Sequence, residues 1–276
     1  MTATESPATS SELASFAIGA GLMAGAANVI MQLARPGVGY GVVESPVDSG
    51  NLFKHPVKRT RTTLTYLAVT TMGTEQERAV YRRGVNRSHA KVRSSESSPV
   101  SYNAFDPDLQ LWVAACIYRG FEDVYRLFGA ELDEPAWERV YRQMAVLGTT
   151  LQVPAESWPA DRAAFERYWQ SALDQVSIDD TVRGYLTELI MLKPFAAPIR
   201  LLFADLNRFV TTGFLPARFR AEMRLNWDDD QQRRFDQLMR MIRLLVRLAP
   251  PPLRAFPYNA LMLDLRWRIR TRRAVV

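Results

Sequence analysis

Histidine and cysteine, the commonest nitrogen and sulfur ligands of metals, are scarce in this sequence: His55, His89 and Cys116. Two histidines are too few for a multi-histidine metal centre, and neither follows a glutamate at the Glu-x-x-His spacing of a carboxylate di-iron site. The single cysteine excludes an internal disulfide and a cysteine-rich zinc site. One histidine that points inward can still supply the axial bond that a haem iron requires.

The position of His89 suits such a bond. Thr74 and Glu77 have the spacing of a capping box, so a helix is predicted to begin at Thr74. Along that helix Tyr81, Val85 and His89 share one apolar face, which predicts that the imidazole points to the core. A buried neutral imidazole needs a partner for its ring nitrogens, either a hydrogen bond or a metal. The spacing leaves both interpretations open, a structural histidine and a metal ligand.

The remaining candidates have simpler explanations. No nucleophile elbow, phosphate-binding glycine loop, His-Glu-x-x-His zinc motif or dinucleotide fingerprint occurs in the sequence. His55 precedes Pro56 among basic residues, which predicts a solvated loop. Cys116 lies among apolar residues, where a buried and unreactive thiol is expected.

Positive charge is concentrated towards the C-terminal end. Residues 233–273 carry eleven arginines against Asp236 and Asp264, a balance of +9 in a chain of net charge +6. Only Trp267 lies within LRWRIRTRR, so the interleaved aromatic residues of a nucleic-acid site are missing. We therefore expect the solvated basic end of a helix and no nucleic-acid partner, with weak contact to a membrane surface as the alternative.

Helical patterns recur along the chain, and the alternation typical of strands is scarce. The sequence predicts an all-α fold: a single helical domain of about nine helices over residues 13–273, behind a disordered tail at residues 1–12. A helix at 107–128, bounded by Asp106 and Gly129, is apolar almost all round, which is typical of a buried central helix. Further helices are predicted at 160–175, 178–193, 196–213, 216–225, 229–248 and 257–272.

The segment from Leu13 to Ala34 carries no charged residue. Its length would reach across a bilayer, and Gly21 and Gly25 have a GxxxG spacing. Glycine and alanine dominate, however, so the mean hydropathy of the segment is modest for a membrane span. We expect a buried helix whose small residues let a flat group approach its backbone closely, with a membrane span as the alternative.

Six segments, in order along the chain, carry a family resemblance: MQLARPGVGYGVVES, HPVKRTRTTLTYLAVTTMGTEQER, HAKVR, YNAFDPDLQLWVAA, VPAESWPADRAAFERYWQ and GFLPARFRAEMRLNW. Together they resemble the MpaB-type oxygenase family, which shares its catalytic domain with the rubber oxygenases (latex clearing proteins). The resemblance runs from about Val29 to Arg270. It implies an all-helical fold around a b-type haem and cleavage of carbon–carbon double bonds of isoprenoid chains with O₂.

The resemblance also implies roles for individual residues. His89 matches the histidine of the family's His-Ala-x-Val-Arg segment and is implied to be the proximal haem ligand. Lys58, Arg61 and Thr62 match a basic-x-x-basic-Thr stretch, in which the second basic residue, here Arg61, lies on the distal side of the haem. Glu44 falls near the distal carboxylate that would act as a base.

Two positions depart from the pattern that the family shows. Many members have a histidine after the Trp-Val of the central helix, where this chain has Ala114, and many have Ala-His-Pro in the first helix, where it has Arg35. Both replacements leave His89 as the remaining credible ligand. Arg61 in place of lysine puts a bulkier, permanently charged group near the iron.

The function implied is that of a haem b-dependent oxygenase, which acts with O₂ on an apolar, isoprenoid or lipid-like, unsaturated small molecule. His89 would hold the iron, and Glu44 or Arg61 would direct proton and charge on the distal side. The alternatives are a non-catalytic haem- or lipid-binding helical protein, and a membrane-surface protein that uses residues 13–34 and the basic C-terminal end. The expected location is the cytoplasm, with association to a membrane as the alternative.

Overall fold

The computed structural model describes residues 12–276, and the regular structure in that range is helical apart from one isolated antiparallel bridge between Arg93 and Asn103. The α-helices are α1 (Gly25–Leu33), α2 (Pro36–Val43), α3 (Pro56–Met72), α4 (Glu75–His89), α5 (Pro107–Phe128), α6 (Glu134–Gln143), α7 (Val146–Thr149), α8 (Arg162–Leu173), α9 (Asp180–Ile190), α10 (Ala197–Phe214), α11 (Ala217–Glu222), α12 (Asp229–Leu248), α13 (Pro251–Arg254) and α14 (Tyr258–Arg270).

The predicted all-α class is confirmed, although residues 12–276 form more α-helices than the nine expected. The excess comes from one-turn helices such as α7 and α13, which are too short to show an apolar period in the sequence. The disordered tail predicted at residues 1–12 lies outside the described residues except for Glu12.

Several helices begin at the residues that the sequence indicated. The Thr74 hydroxyl accepts from the Glu77 backbone N–H, and the Glu77 carboxylate accepts from the Thr74 N–H, which completes the predicted capping box. Asp106 caps α5 through the backbone N–H groups of the first turn. Capping aspartates also begin α6, α8, α9 and α12.

Helix α5 lies at the centre of the main hydrophobic core and packs against α1, α7 and α12. The prediction that it is apolar almost all round needs one correction. Glu122 on α5 is only 4% exposed, and its carboxylate forms ion pairs of 2.8–3.0 Å with Arg119, Arg126 and Arg162. A buried carboxylate is tolerated there because three guanidinium groups satisfy it.

The segment 13–34 is largely buried, as expected, but it does not form one continuous helix. Residues Gly19–Ala24 form a 3-10 turn, and α1 begins only at Gly25. The small residues bring this segment close to α5, since a Cβ added to Gly21 would lie 2.9 Å from Val124 Cγ1. At that position the close partner is therefore a neighbouring helix. Among residues 12–276, no helix has both the length and the apolarity that crossing a bilayer requires.

Helices α3, α4 and α14 enclose a second, smaller core around Ala68, Tyr81 and Leu265. Helix α14 packs along α3, and a short turn at Gly73 and Thr74 joins α3 to α4 as a hairpin. Because the two helices of this hairpin run in opposite directions and have similar lengths, the end of α4 lies near the beginning of α3. The fold thus brings His89 to the same end as the basic stretch that starts α3.

Candidate functional site

His89 is the last residue of α4, and its imidazole has no partner among residues 12–276. Its Nδ1 atom is buried without a hydrogen bond, and its Nε2 atom makes none either. Burial, and to a lesser extent the charge of Arg59, lower the pKa of His89 to about 4. The imidazole is therefore neutral at pH 7, and a nitrogen lone pair is available to a ligand.

The chain after His89 folds back and covers one side of the imidazole. The Ser94 N–H donates to the Tyr102 carbonyl at 2.8 Å, and the Ala104 N–H donates to the Val92 carbonyl at 2.9 Å. The rings of Phe105 and His89 lie at 70° to each other, with ring centres 6.3 Å apart. The contact helps to fix the position of the imidazole, whose nitrogens make no hydrogen bond among residues 12–276.

A network of amide side chains holds the surroundings of His89. Gln152 Nε2 donates to Asn86 Oδ1 at 2.6 Å, one turn before His89 on α4. Gln110 on α5 donates from Nε2 to Gln152 Oε1 and to the Ala104 carbonyl, each at 2.6 Å. These amides tie α4, α5 and the returning loop to one another. These buried amides could not be predicted, because no spacing in the sequence marks a glutamine as buried.

Arg59 is the charged residue that acts on the pKa of His89. It was not among the site residues predicted from the sequence. Its guanidinium forms no ion pair or side-chain hydrogen bond within the described part of the chain, whereas its positive charge lowers the pKa of His89. Burial lowers the pKa of Arg59 itself, and the tyrosines Tyr81 and Tyr185 act on it electrostatically. Its side chain is nevertheless accessible to water. Because its guanidinium is accessible and has no acidic partner among residues 12–276, Arg59 is free to meet an anionic group.

The three predicted residues of α3 are engaged in other ways. Arg61 Nη1 forms an ion pair with Asp264 Oδ2 on α14 at 3.3 Å. Thr62 is buried, and its hydroxyl donates to the Lys58 carbonyl at 2.8 Å, while its own carbonyl accepts from Tyr81 at 2.5 Å. The Lys58 side chain is exposed. The backbone of this stretch is thus fixed against α4, and the Arg61 charge is shared with a carboxylate.

Glu44 lies just after α2 and is joined to the loop that follows His89. One of its oxygens, Oε2, accepts from the Ser98 hydroxyl at 2.6 Å and from the Tyr102 hydroxyl at 2.8 Å. The other oxygen makes no hydrogen bond among residues 12–276, so it can accept a proton. Among the described residues Glu44 pairs with neither Arg61 nor Lys58; it is joined instead to the loop that follows His89.

His55 and Cys116 have the exposure that the sequence predicted for each. His55 is exposed at the start of α3, and Cys116 is buried and free in α5, where burial raises the pKa of its thiol. Ala114 is buried in the same helix. Arg35 lies close enough to α5 for its charge to act on Cys116.

The residues around His89 fit a haem. A haem iron takes four ligands from the porphyrin, so a single unpaired imidazole is the donor that it needs from the protein. An unpaired buried nitrogen is costly unless a ligand or ordered water satisfies it. Arg59 supplies a free cation that suits the carboxylates of the porphyrin. Residues 12–276 contain no cluster of three or more His, Cys, Asp or Glu side chains that could hold a metal ion without a porphyrin.

Comparison with known proteins gives one family and two close relatives. Residues 15–244 match the model of the ER-bound oxygenase mpaB/B'/Rubber oxygenase catalytic domain, which confirms the resemblance seen in the six segments. Two sequences are 53% identical to this chain over 251 residues, which is 91% of this chain and 98% of each relative. They are the uncharacterized protein Mb2261 of Mycobacterium bovis and the uncharacterized protein Rv2237 of Mycobacterium tuberculosis. No solved structure matches the chain.

Proposed function

This chain belongs to the mpaB/rubber oxygenase catalytic-domain family, and we propose that it is a haem b-dependent oxygenase acting with O₂ on an apolar, unsaturated isoprenoid or lipid-like molecule. The observation that carries the proposal is the imidazole of His89, which is buried at Nδ1, neutral and without a protein partner. A structural histidine in such a place would be expected to form a hydrogen bond. Family membership supports the oxygenase class.

His89 would hold the cofactor through its free ring nitrogen, and Arg59 would pair with a carboxylate of the porphyrin. When bound, haem b supplies an iron centre that reacts with O₂. Phe105 and the Asn86–Gln152–Gln110 amides are positioning residues, because they fix the ring and the helix end rather than contact the cofactor. The cytoplasm is the location that we propose.

Glu44 and Arg61 would act on the substrate side. The free oxygen of Glu44 can accept a proton from an apolar substrate, and its other oxygen is anchored by Ser98 and Tyr102. Arg61, steadied by Asp264, can stabilise negative charge that develops during the reaction. Lys58 and Thr62 would assist by fixing the first turn of α3.

The test is O₂ consumption by the haem-loaded protein with a panel of unsaturated apolar substrates. Glu44→Gln and Arg61→Ala should keep a near-normal haem spectrum, while turnover falls by about two orders of magnitude. Asp264→Asn is the matched control, because it removes the partner of Arg61 and leaves the guanidinium in place. Wild-type turnover in both Glu44→Gln and Arg61→Ala would remove these residues from the active site.

A second function, a non-catalytic haem- or lipid-binding protein, is favoured by a different observation. Arg61 replaces the distal lysine and is held in an ion pair with Asp264, and Ala114 and Arg35 stand where many relatives have histidines. A wild-type protein that binds haem but consumes no O₂ with any olefin in the panel would support this function over the oxygenase.

A further inference from the structure

A cluster of exposed apolar side chains covers the free end of the hairpin formed by α10 and α12. The two helices are joined through residues 215–228 and pack at the connected end, where Phe209, Phe214 and Trp227 contact Phe235. At the opposite end many large apolar residues face solvent, among them Leu202 at 73% exposure and Leu248 at 74%. We call this surface the apolar tip; its residues are Ile199, Leu201, Leu202, Phe203, Leu206, Met241, Leu244, Leu245, Leu248, Leu253 and Phe256.

The apolar tip is ordered along its helices rather than scattered. On α12 the exposed residues Met241, Leu244, Leu245 and Leu248 follow the spacing i, i+3, i+4, i+7, which is one face of a helix. The residues 199, 202, 203 and 206 repeat the same spacing on α10. Other residues of α12, such as Met239, already pack in the core. This part of α12 therefore carries a second apolar face that the fold does not cover, and such a patch is typical of an interaction surface.

The charges on the α12 side of the apolar tip are positive and unpaired, whereas the α10 side carries one arginine, Arg200, and one aspartate, Asp205, which balance. Residues 240–256 contain Arg240, Arg243, Arg247 and Arg254 and no acidic residue. Arg254 donates to the carbonyls of Ala249 and Arg247 at 2.6 and 2.9 Å, so it stays fixed at this end without a carboxylate partner. None of the four forms an ion pair within the described residues. By contrast, residues 228–239 carry four aspartates and two arginines, a balance of −2.

We propose that the apolar tip docks on the surface of an anionic lipid membrane. Leucine and phenylalanine side chains would enter the boundary between headgroups and acyl chains, while the arginines pair with lipid phosphates, which is how basic amphipathic helices bind membranes. A second copy of the chain fits less well, because a two-fold contact centred on this tip would bring the cationic ends of both copies together. The proposal does not depend on haem or turnover.

This surface differs from the two that the sequence suggested. Residues 13–34 are largely enclosed by the core, and α14 packs along α3, so neither offers an apolar face of comparable size. The apolar tip escapes sequence reasoning because α12 shows apolar residues on both faces. The pattern alone does not say which face is buried.

The proposal is tested by co-sedimentation of the purified full chain with vesicles of phosphatidylcholine alone and of phosphatidylcholine with phosphatidylglycerol. Wild type should bind the anionic vesicles and lose binding as salt is raised. The double variant Leu244→Glu/Leu248→Glu should bind at least about tenfold more weakly, and Arg240→Gln/Arg247→Gln should lose its preference for anionic vesicles. All four residues lie at the surface, and circular dichroism confirms that each variant folds.

Two matched controls lie outside the apolar tip. Leu263→Glu changes an equally exposed leucine on α14, and Arg233→Gln removes an arginine at the acidic end of α12; both should bind vesicles like wild type. Absence of vesicle binding by wild type would overturn the proposal. So would a dimer in analytical ultracentrifugation that Leu244→Glu/Leu248→Glu converts to monomer, since a second copy would then cover the tip.

Discussion

The two histidines of this protein lie at the same end of the α3–α4 hairpin in opposite surroundings. His55 precedes α3, is 43% exposed, and its Nε2 lies 2.9 Å from Asp48, which also accepts from Lys54 at 2.7 Å. Hydrogen bonds from Lys54 and His55 lower the pKa of Asp48 to about 2. His89 ends α4, is half-buried and has no partner for either nitrogen among residues 12–276.

His55 has a hydrogen-bond partner in the fold, whereas the ring nitrogens of His89 have none and are free to bind a ligand. At the surface, water would satisfy His55 even without Asp48, so the pair there carries little information about function. Near the core, an unpaired nitrogen costs stability, so a protein that keeps one there is expected to satisfy it with a ligand. We therefore expect His89 to bind a ligand and His55 to bind none, and this contrast can be tested.

The largest effect is expected from removing the two imidazoles separately. His89→Gly should weaken haem binding by about a hundredfold or more, because no second histidine is placed to replace the lost bond. Added imidazole should restore binding, since it can enter the space that the side chain leaves. His55→Gly serves as the control and should bind haem like wild type. Equal haem affinity in the His89→Gly and His55→Gly variants would show that His89 is not the haem ligand.

Arg59 and Arg61, in the same turn of α3, should differ about tenfold in their effect on haem affinity. Arg59→Gln removes the free cation and should weaken haem binding by about tenfold. In the haem-free protein it should also raise the pKa of His89 above about 4, because a like charge is removed. Arg61→Gln, whose charge is shared with Asp264, should leave both quantities nearly unchanged. Nuclear magnetic resonance titration of the imidazole measures the pKa, and a reversed result would assign the carboxylate contact to Arg61.

A smaller effect is expected from the amides that hold the neighbourhood of His89. Gln110→Leu leaves the Ala104 carbonyl and the Gln152 backbone N–H without partners, so the free energy of unfolding should fall by about 1–3 kcal/mol. Haem affinity should fall by several fold through the displaced loop. Gln170→Leu, at an exposed glutamine of α8, is the control and should change stability by less than about 0.5 kcal/mol. Denaturant unfolding measures the free energy of unfolding of both variants. An equal loss in the two would show that the hydrogen bonds of Gln110 add no more to stability than those of an exposed glutamine.

A last effect, which appears only in mild acid, concerns the stability of the haem-free protein. Because the pKa of His89 is about 4 in the folded protein and about 6.5 when unfolded, the unfolded chain takes up a proton within this window and the folded protein does not. This contribution to stability is complete above the window and is lost as the pH falls through it. His89→Phe should remove at most about 1.4 kcal/mol per pH unit from that slope. An unchanged slope in the variant would show that water reaches the imidazole freely.

Much of this fold could be predicted from local signals, since caps and apolar periods act within one helix. Asp106 and the Thr74–Glu77 pair begin their helices as predicted, and α12 covers the residues expected of it. The segment 13–34 was predicted less well: it breaks into a 3-10 turn and a helix, and its close packing at Gly21 against Val124 is a contact between distant residues that the local sequence does not encode. The one-turn helices were missed for lack of length.

The candidate site was predictable only where a helical face or a family motif marked a residue. His89 was found by both routes. Arg59 was missed because it is not a position of the basic-x-x-basic-Thr motif. It is the free cation of this turn only because Arg61 is paired with Asp264, a contact that the motif does not show. The distal role of Arg61 was predicted from its motif position. Its ion-pair partner Asp264 could not be predicted, because it lies 203 residues later in the chain. Contacts of that range follow from the packing of α14 on α3.

Whether His89 holds a haem can be measured by the absorption spectrum of the purified protein during titration with haem b. Wild type should bind one equivalent and develop the Soret band of a histidine-ligated haem, and His89→Ala should bind weakly, without that band. Contradiction would come from a wild-type protein that gives no Soret band of bound haem at any haem concentration. A His89→Ala variant with the wild-type spectrum and affinity would contradict the claim equally.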